Sequence, residues 1–323
     1  MRELNYTSAI REAQTLEMER DSRVFVIGED VAEFGSAFGQ TAGLLEKFGH
    51  MRCVNTPISE ACIIGMSVGA AATGLRPIAV IDFMDFMGCC MDEILNQAAK
   101  LRFMMGGQVT IPLVIRAQGG AGINAAAQHS QSLEALFTHI PGLKIVAAST
   151  PADVKGLITS AVRDDSPVMV IEHKTLLNMK GEVPEGEHIV PIGKAAVRRE
   201  GSDVTIVAWA AMVHRSLKAA EILAKEGIQA EVIDIRSLIP LDKEAIFKSL
   251  EKTGKIAIVY ESVITNGYGA EIASIVAEEC MDWLDAPIKR IAAPHTHCPF
   301  SPVLEELYVP SVDRIVKSIK ELF

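Results

Sequence analysis

At 323 residues the chain is long enough for two domains of ordinary size, each able to close its own core, and 49% hydrophobic residues is ordinary globular composition. Lys and Arg number 31 against 41 Asp and Glu, a formal net charge of −10 with no long basic block. That balance argues against a nucleic-acid surface, which needs concentrated cations for phosphate.

The first twenty residues read as an amphipathic helix, with Ile10, Ala13, Leu16 and Glu17 at helical spacing and acids throughout. A secretory or organellar leader would look different, so a cytoplasmic location is expected. A strand over Val24 to Ile27 leads into Gly28-Glu29-Asp30-Val31. Next comes Thr56-Pro57-Ile58-Ser59-Glu60-Ala61, where Thr56 can cap a helix and Pro57 suits its first turn. Glu60 then projects from a segment with almost nothing else polar. On physics alone, a first-turn glutamate favoured by the helix dipole and a functional buried carboxylate are equally good readings.

Ala61 to Ile81 is apolar for long enough to suggest a membrane span, and Gly65 and Gly69 have the spacing of a dimerising pair. Leu75-Arg76-Pro77 interrupts it with a charge and a helix breaker, so the segment reads as a buried helix followed by a strand at Ile78 to Ile81, with no membrane role. Further apolar, β-branched runs at Val109 to Ile115, Lys144 to Ala147 and Val168 to Ile171 alternate with helical stretches, the rhythm of parallel strands with crossover helices. Asn178 to Glu200, with Gly181, Pro184, Gly186, Pro191 and Gly193, reads as a linker. The rhythm restarts at Val204 to Ala208, Ala230 to Ile233, Ile256 to Val259 and Ile288 to Ala292, with a helix over Val213 to Glu226. The expected organisation is therefore two α/β, parallel-sheet domains over residues 1–178 and 201–323, joined by 179–200.

Six cysteines, at 53, 62, 89, 90, 280 and 298, lack metal-ligand spacing and the density of a disulfide scaffold, and read as reduced thiols. His295-Thr296-His297-Cys298 places two imidazoles and a thiol within four residues, but no second half-site accompanies it. The glycine-rich stretch Gly119-Gly120-Ala121-Gly122 is not a dinucleotide fingerprint, since no G-x-G-x-x-G follows a strand; a Walker A motif is also missing.

Ala126-Ala127-Gln128-His129-Ser130-Gln131-Ser132 follows that loop, and Pro141-Gly142-Leu143-Lys144-Ile145-Val146 comes soon after. With Thr56 to Glu60 and Gly28 to Val31, these segments resemble the β subunit of the thiamine-diphosphate-dependent first component of 2-oxo-acid dehydrogenase complexes, over essentially the whole chain. Asn178 to Glu185, Asp285 to Arg290 and Pro299 to Glu305 are most similar to the acetoin dehydrogenase branch. The resemblance implies a transketolase-like pyrimidine-binding domain followed by a transketolase C-terminal domain. It gives Glu60, with Ile58 beside it, the task of supplying a carboxyl to the cofactor pyrimidine from a pocket of low polarity. Phe86 is placed under the ring and Asp82 near its edge, where some relatives have glutamine. His129 is placed beside the reacting atoms, where an imidazole moves protons, and Glu29 lines the same site.

This chain contains no Gly-Asp-Gly, the motif that holds the cofactor diphosphate through a divalent ion in this superfamily. The resemblance therefore implies an α subunit that holds most of the Mg²⁺ site, in an α2β2 heterotetramer. It also implies a potassium site at Leu113, Ala161, Val162, Asp164 and Ser166, the last replacing an amide or acid. The activity implied is cleavage of acetoin to acetaldehyde, with the remaining two-carbon unit transferred as acetyl to a lipoyl group of an acyltransferase component. Pyruvate and branched-chain 2-oxo acids are the alternative substrates. A non-catalytic scaffold is the alternative of a different class, and the set Glu60, Phe86 and His129 argues against it.

Overall fold

The computed structural model describes residues 2–323, and these fall into two compact units. One comprises the described residues up to Gly119 together with Leu136–Ile192; the other comprises Gly120–Ala135 together with Gly193–Phe323. In chain order the elements begin β1 (Arg2–Asn5), α1 (Tyr6–Arg20), β2 (Val24–Glu29), α2 (Leu44–Phe48), β3 (Cys53–Thr56), α3 (Glu60–Ala72) and β4 (Arg76–Ile81). There follow α4 (Leu101–Met104), β5 (Val114–Gly119), α5 (Glu134–Thr138), β6 (Lys144–Ala147), α6 (Pro151–Arg163), β7 (Val168–His173) and β8 (Lys180–Val183). The remainder is β9 (Ala196–Arg199), β10 (Val204–Ala208), α7 (Ala211–Lys225), β11 (Ala230–Asp234), β12 (Ser237–Ile239), α8 (Lys243–Thr253), β13 (Ile256–Val263), α9 (Tyr268–Glu279), β14 (Lys289–Ala293), α10 (Pro302–Tyr308) and α11 (Val312–Lys320).

In the first unit, six parallel strands lie in the order β6-β7-β5-β4-β2-β3. Their apolar runs are buried apart from Phe25 and Val54, which are half-buried, as a sheet covered on both faces requires. From β2 the chain moves outward to β3 and then returns to β4 on the other side of β2. That reversal makes a switch point at the carboxyl ends of β2 and β4, where open α/β sheets form ligand crevices. The helix expected over the first twenty residues starts only at Tyr6. Arg2–Asn5 instead pairs antiparallel with β8, and Asn5 caps the helix by accepting from the Ser8 N–H at 2.8 Å. Ala61 to Ile81 divides into α3 and β4 at a turn containing Gly74, φ 101°. No helix of the described residues is long and apolar enough to cross a membrane.

The strand expected at Val109 to Ile115 is displaced, and the reason is polar. β5 begins at Val114 and runs on through Arg116 and Gln118, which look like strand breakers in an apolar pattern but are both fully buried. Arg116 Nε donates to Glu172 Oε1 of β7 at 2.6 Å, and its Nη1 donates to Gln14 Oε1 of α1 at 2.9 Å. Gln118 Nε2 donates to Glu172 Oε2 at 2.9 Å, while Gln14 Nε2 donates to the Gln40 carbonyl at 2.8 Å. The expected linker also contains order: β8 pairs with β1, and β9 adds antiparallel to β11.

The second unit is built on five strands in the order β14-β13-β10-β11-β9, parallel except for β9. Trp209, just past β10, stacks on Tyr260 of β13 with centroids 5.4 Å apart and 10° between planes. Removing one partner of the Arg116–Glu172 pair leaves a buried charge uncompensated. Glu172→Ala is therefore expected to lower stability by about 3–5 kcal/mol, read as a fall in the urea midpoint; a loss near zero would contradict this role.

Candidate active site

The carboxyl ends of β2 and β4 bring together most of the residues singled out in the first unit. Glu29 is the last residue of β2, Asp82 directly follows β4, and Glu60 opens α3. Burial raises the Glu29 pKa, and the nearby Asp30 and Glu60 carboxylates raise it further. Asp82 is pushed up to about 6, by burial first and then by Glu29, while the buried Arg116 guanidinium opposes the shift. Asp82 Oδ1 is buried and has no hydrogen-bond partner.

The head of α3 differs from the sequence expectation. Thr56 ends β3 and does not cap the helix; the N-cap is Ser59, whose side chain makes no capping bond. The chain runs through Pro57 and Ile58 before the helix begins, leaving Thr56 Oγ1 buried without a partner. Ile58 is 73% exposed and Glu60 half-buried, so this chain by itself does not enclose Glu60 in an apolar pocket. Phe86 lies on a 3-10 turn over Met84–Cys90 and meets Phe83 edge-on, with centroids 5.9 Å apart. Phe83 in turn meets Phe38 at 5.9 Å and carries the Lys174 ammonium 5.4 Å above its ring.

His129 belongs to Gly120–Ala135, in the second unit, and is half-buried. Its N–H faces the Ala126 carbonyl at 3.5 Å. A cavity of about 480 Å³ in the same unit is lined by Gln131, Ser132, Val263, His295, His297 and Cys298. Burial pushes the Cys298 thiol up to about 11. Among the described residues no group of three or more His, Cys, Asp or Glu could hold a metal ion.

The five positions given to potassium lie at the C-terminal end of α6 and in the segments beside it. Arg76 Nη1 donates to the carbonyls of Val162 and Asp164 at 2.8 and 3.1 Å. The Leu113 carbonyl accepts from Val168 N–H at 2.9 Å, and that of Ala161 from Asp164 N–H at 3.3 Å. Asp164 accepts from the Ser166 N–H at 2.9 Å and pairs with Lys144. Two protein cations, Arg76 and Lys144, already face this turn.

For an aminopyrimidine the first unit offers a fitting set: an aromatic face at Phe86, a carboxyl at Glu60 and an unpartnered buried acceptor at Asp82 Oδ1. For a diphosphate the sequence lacks Gly-Asp-Gly. The buried set Arg116, Gln118 and Glu172, of which Arg116 acts on Asp82, escapes sequence reasoning. The signal that could reveal them is alternation of polar side chains within strands that are otherwise apolar.

Residues 2–180 match the family model "Transketolase, pyrimidine binding domain", and residues 193–315 match "Transketolase, C-terminal domain". The chain is 50% identical to the acetoin:2,6-dichlorophenolindophenol oxidoreductase subunit beta of Bacillus subtilis, covering 99% of this chain and 97% of that one. It is 46% identical to the 2-oxoisovalerate dehydrogenase subunit beta of the same organism, over 99% and 98%. A solved structure described as a split gene transketolase, inactive beta4 tetramer, shares the fold with a TM-score of 0.81 at 23% identity, over 99% of this chain and 98% of that chain.

The raised Asp82 pKa has a consequence for stability. The folded chain binds this proton more tightly than the unfolded one, so stability falls as pH rises from about 4 through about 6, and the penalty is complete above that. Asp82→Asn removes the penalty. The variant is expected to be more stable at pH 8, by about 3 kcal/mol at most, and indistinguishable at pH 4 in thermal melts. A difference that does not change with pH would refute the assignment.

Proposed function

The chain belongs to the β subunits of thiamine-diphosphate-dependent E1 components that act on 2-oxo acids or acetoin, and on that premise we propose that it serves an acetoin dehydrogenase. The observation that carries the choice of substrate is charge. Glu29, Asp30 and Asp82 stand at one switch point, and the cation that acts on Asp82, Arg116, is fully buried. A field of that sign disfavours a substrate bearing its own carboxylate, whereas acetoin is uncharged. The 50% identity to the acetoin-acting relative supports the same choice. A branched-chain 2-oxo acid is the second reading, supported by the 2-oxoisovalerate dehydrogenase relative; it requires a cation from another polypeptide to neutralise the substrate.

Bound thiamine diphosphate supplies the nucleophilic carbon that adds to the substrate carbonyl. Glu60 would offer its carboxyl to the far pyrimidine nitrogen. Phe86 supports the ring, Ile58 gives an apolar wall, and Asp82 accepts from the amino edge of the pyrimidine. His129 gives and takes a proton at the substrate oxygen. An α subunit supplies the Mg²⁺ and diphosphate anchor in an α2β2 assembly, and the lipoyl group of an acyltransferase accepts the acetyl unit. A cytoplasmic setting suits the six free thiols.

Reconstitution with an α partner, assayed with acetoin and pyruvate side by side, tests the proposal. The kcat/KM for acetoin should exceed that for pyruvate by about tenfold or more, the factor given by a repulsion of roughly 1.4 kcal/mol. The reverse ratio would overturn it. Glu60→Gln cannot supply the proton, so deuterium exchange at the thiazolium carbon in the reconstituted assembly should slow by about a hundredfold or more. Exchange at the unmutated rate would remove Glu60 from this role.

A further inference from the structure

The segment bearing His129 has a strained backbone. Gly120 and Gly122 have φ of 88° and 99°, but Asn124 and Ala126, at 57° and 58°, also lie in the left-handed region that side chains rarely adopt. Two such residues, Asn124 and Ala126, in so short a stretch do not persist without fixed acceptors and donors around them. At the base of the segment, the Gly120 N–H donates to the Gln131 carbonyl at 3.1 Å. Two carboxylates far away in sequence also hold it. Glu261 of β13, 5% exposed, accepts at Oε1 from the Ala121 N–H at 2.5 Å and from Ser132 Oγ at 3.5 Å, so one oxygen gathers both ends of the loop. Glu305 of α10, 4% exposed, accepts at Oε2 from the Asn124 N–H at 3.0 Å. Among the described residues no cation pairs with Glu305. A buried carboxylate is costly unless its oxygens are satisfied, and here the N–H of a left-handed residue is one of the donors that satisfy it.

We propose that Glu261 and Glu305 are positioning residues: they lock the left-handed run of the 120–135 loop and thereby aim His129. The inference rests on the proton-transfer reading of His129. Each glutamate acts through the backbone that flankes the imidazole, so the loop depends on them wherever it carries out chemistry. Their contributions are separable, since Glu261 closes the ends and Glu305 holds the middle.

The test uses the chain reconstituted with its α partner and compares Glu305→Ala, Glu305→Gln, His129→Ala and the double variant His129→Ala/Glu305→Ala. Two quantities are read: amide hydrogen exchange over residues 120–132, and acetyl transfer to lipoamide. Losing a hydrogen bond to a buried carboxylate should speed exchange in that segment about tenfold to a hundredfold and slow transfer by a similar factor. Glu305→Gln keeps a carbonyl oxygen for the Asn124 N–H and should restore most of both. The double variant should be no slower than His129→Ala alone, because a residue acting through His129 has nothing left to aim. Unchanged exchange in Glu305→Ala, or losses that add in the double variant, would overturn the proposal. If His129→Ala keeps full turnover, it is the reading of His129 that fails, and exchange alone then decides whether the anchor exists. Glu261→Ala frees Ala121 and Ser132 instead and must repeat the pattern; should Glu305→Ala not assemble, this variant decides.

Discussion

Everything at the open end of the first sheet depends on a guanidinium and a carboxylate that meet at 2.6 Å with no exposed surface, Arg116 and Glu172. Taking both charges out of water costs several kcal/mol each, and the attraction between them offsets that only when the remaining lone pairs and protons are also used. Gln14 accepts from Arg116 Nη1, and Gln118 and Gln40 donate to Glu172 Oε2, leaving Arg116 Nη2 without a partner; Gln40 in turn accepts from Ser36 Oγ at 2.6 Å. The pair therefore ties β5, β7, α1 and the Ser36–Gln40 loop into one arrangement. It also sets a positive charge where it acts on Asp82, the opposing influence that keeps its pKa from rising further.

Above that cation the carboxylates repel one another. Glu29, Asp82 and Glu60 gain nothing in stability from being close, and the direction of the Glu29 and Asp82 shifts records the strain. Proteins keep such unfavourable clusters where chemistry uses them. The surroundings point the same way: Ile58 lies mostly in solvent, and Glu60 is only half covered. On the reading proposed here, a second polypeptide supplies the missing cover. The electrostatics of the site are then a property of the assembly, with this chain contributing the acidic half.

The sequence made the fold legible wherever a strand was uniformly apolar, as at Val24 to Ile27 or Val204 to Ala208. It failed where polar residues are buried. Arg116 and Gln118 shifted β5, because their partners on β7 and α1 are distant in sequence and no local pattern announces them. Thr56 looked like a cap because threonine before proline has that meaning in general, yet pairing of β3 with β2 holds it in the sheet. The strands at Lys180–Val183 and Ala196–Arg199 were hidden among glycines and prolines, since short edge strands need few apolar residues. For the candidate site, Glu60, Phe86 and His129 were singled out through likeness to a family, whereas Glu261 and Glu305 emerged only from hydrogen bonds between distant segments.

The second unit is not one piece of chain. Gly120–Ala135 belongs to it although both flanks of that stretch belong to the first unit. Recombination between relatives, in nature or at the bench, meets a constraint here that a domain map drawn along the sequence conceals. A single crossover in the 179–200 region would join a new C-terminal half to an inherited loop, offering foreign acceptors to the N–H groups of Ala121 and Asn124. Chimeras that keep working must exchange the loop and the C-terminal half as one cassette, and sequence variation at Glu261 and Glu305 should travel with variation in the loop rather than with that of its neighbours.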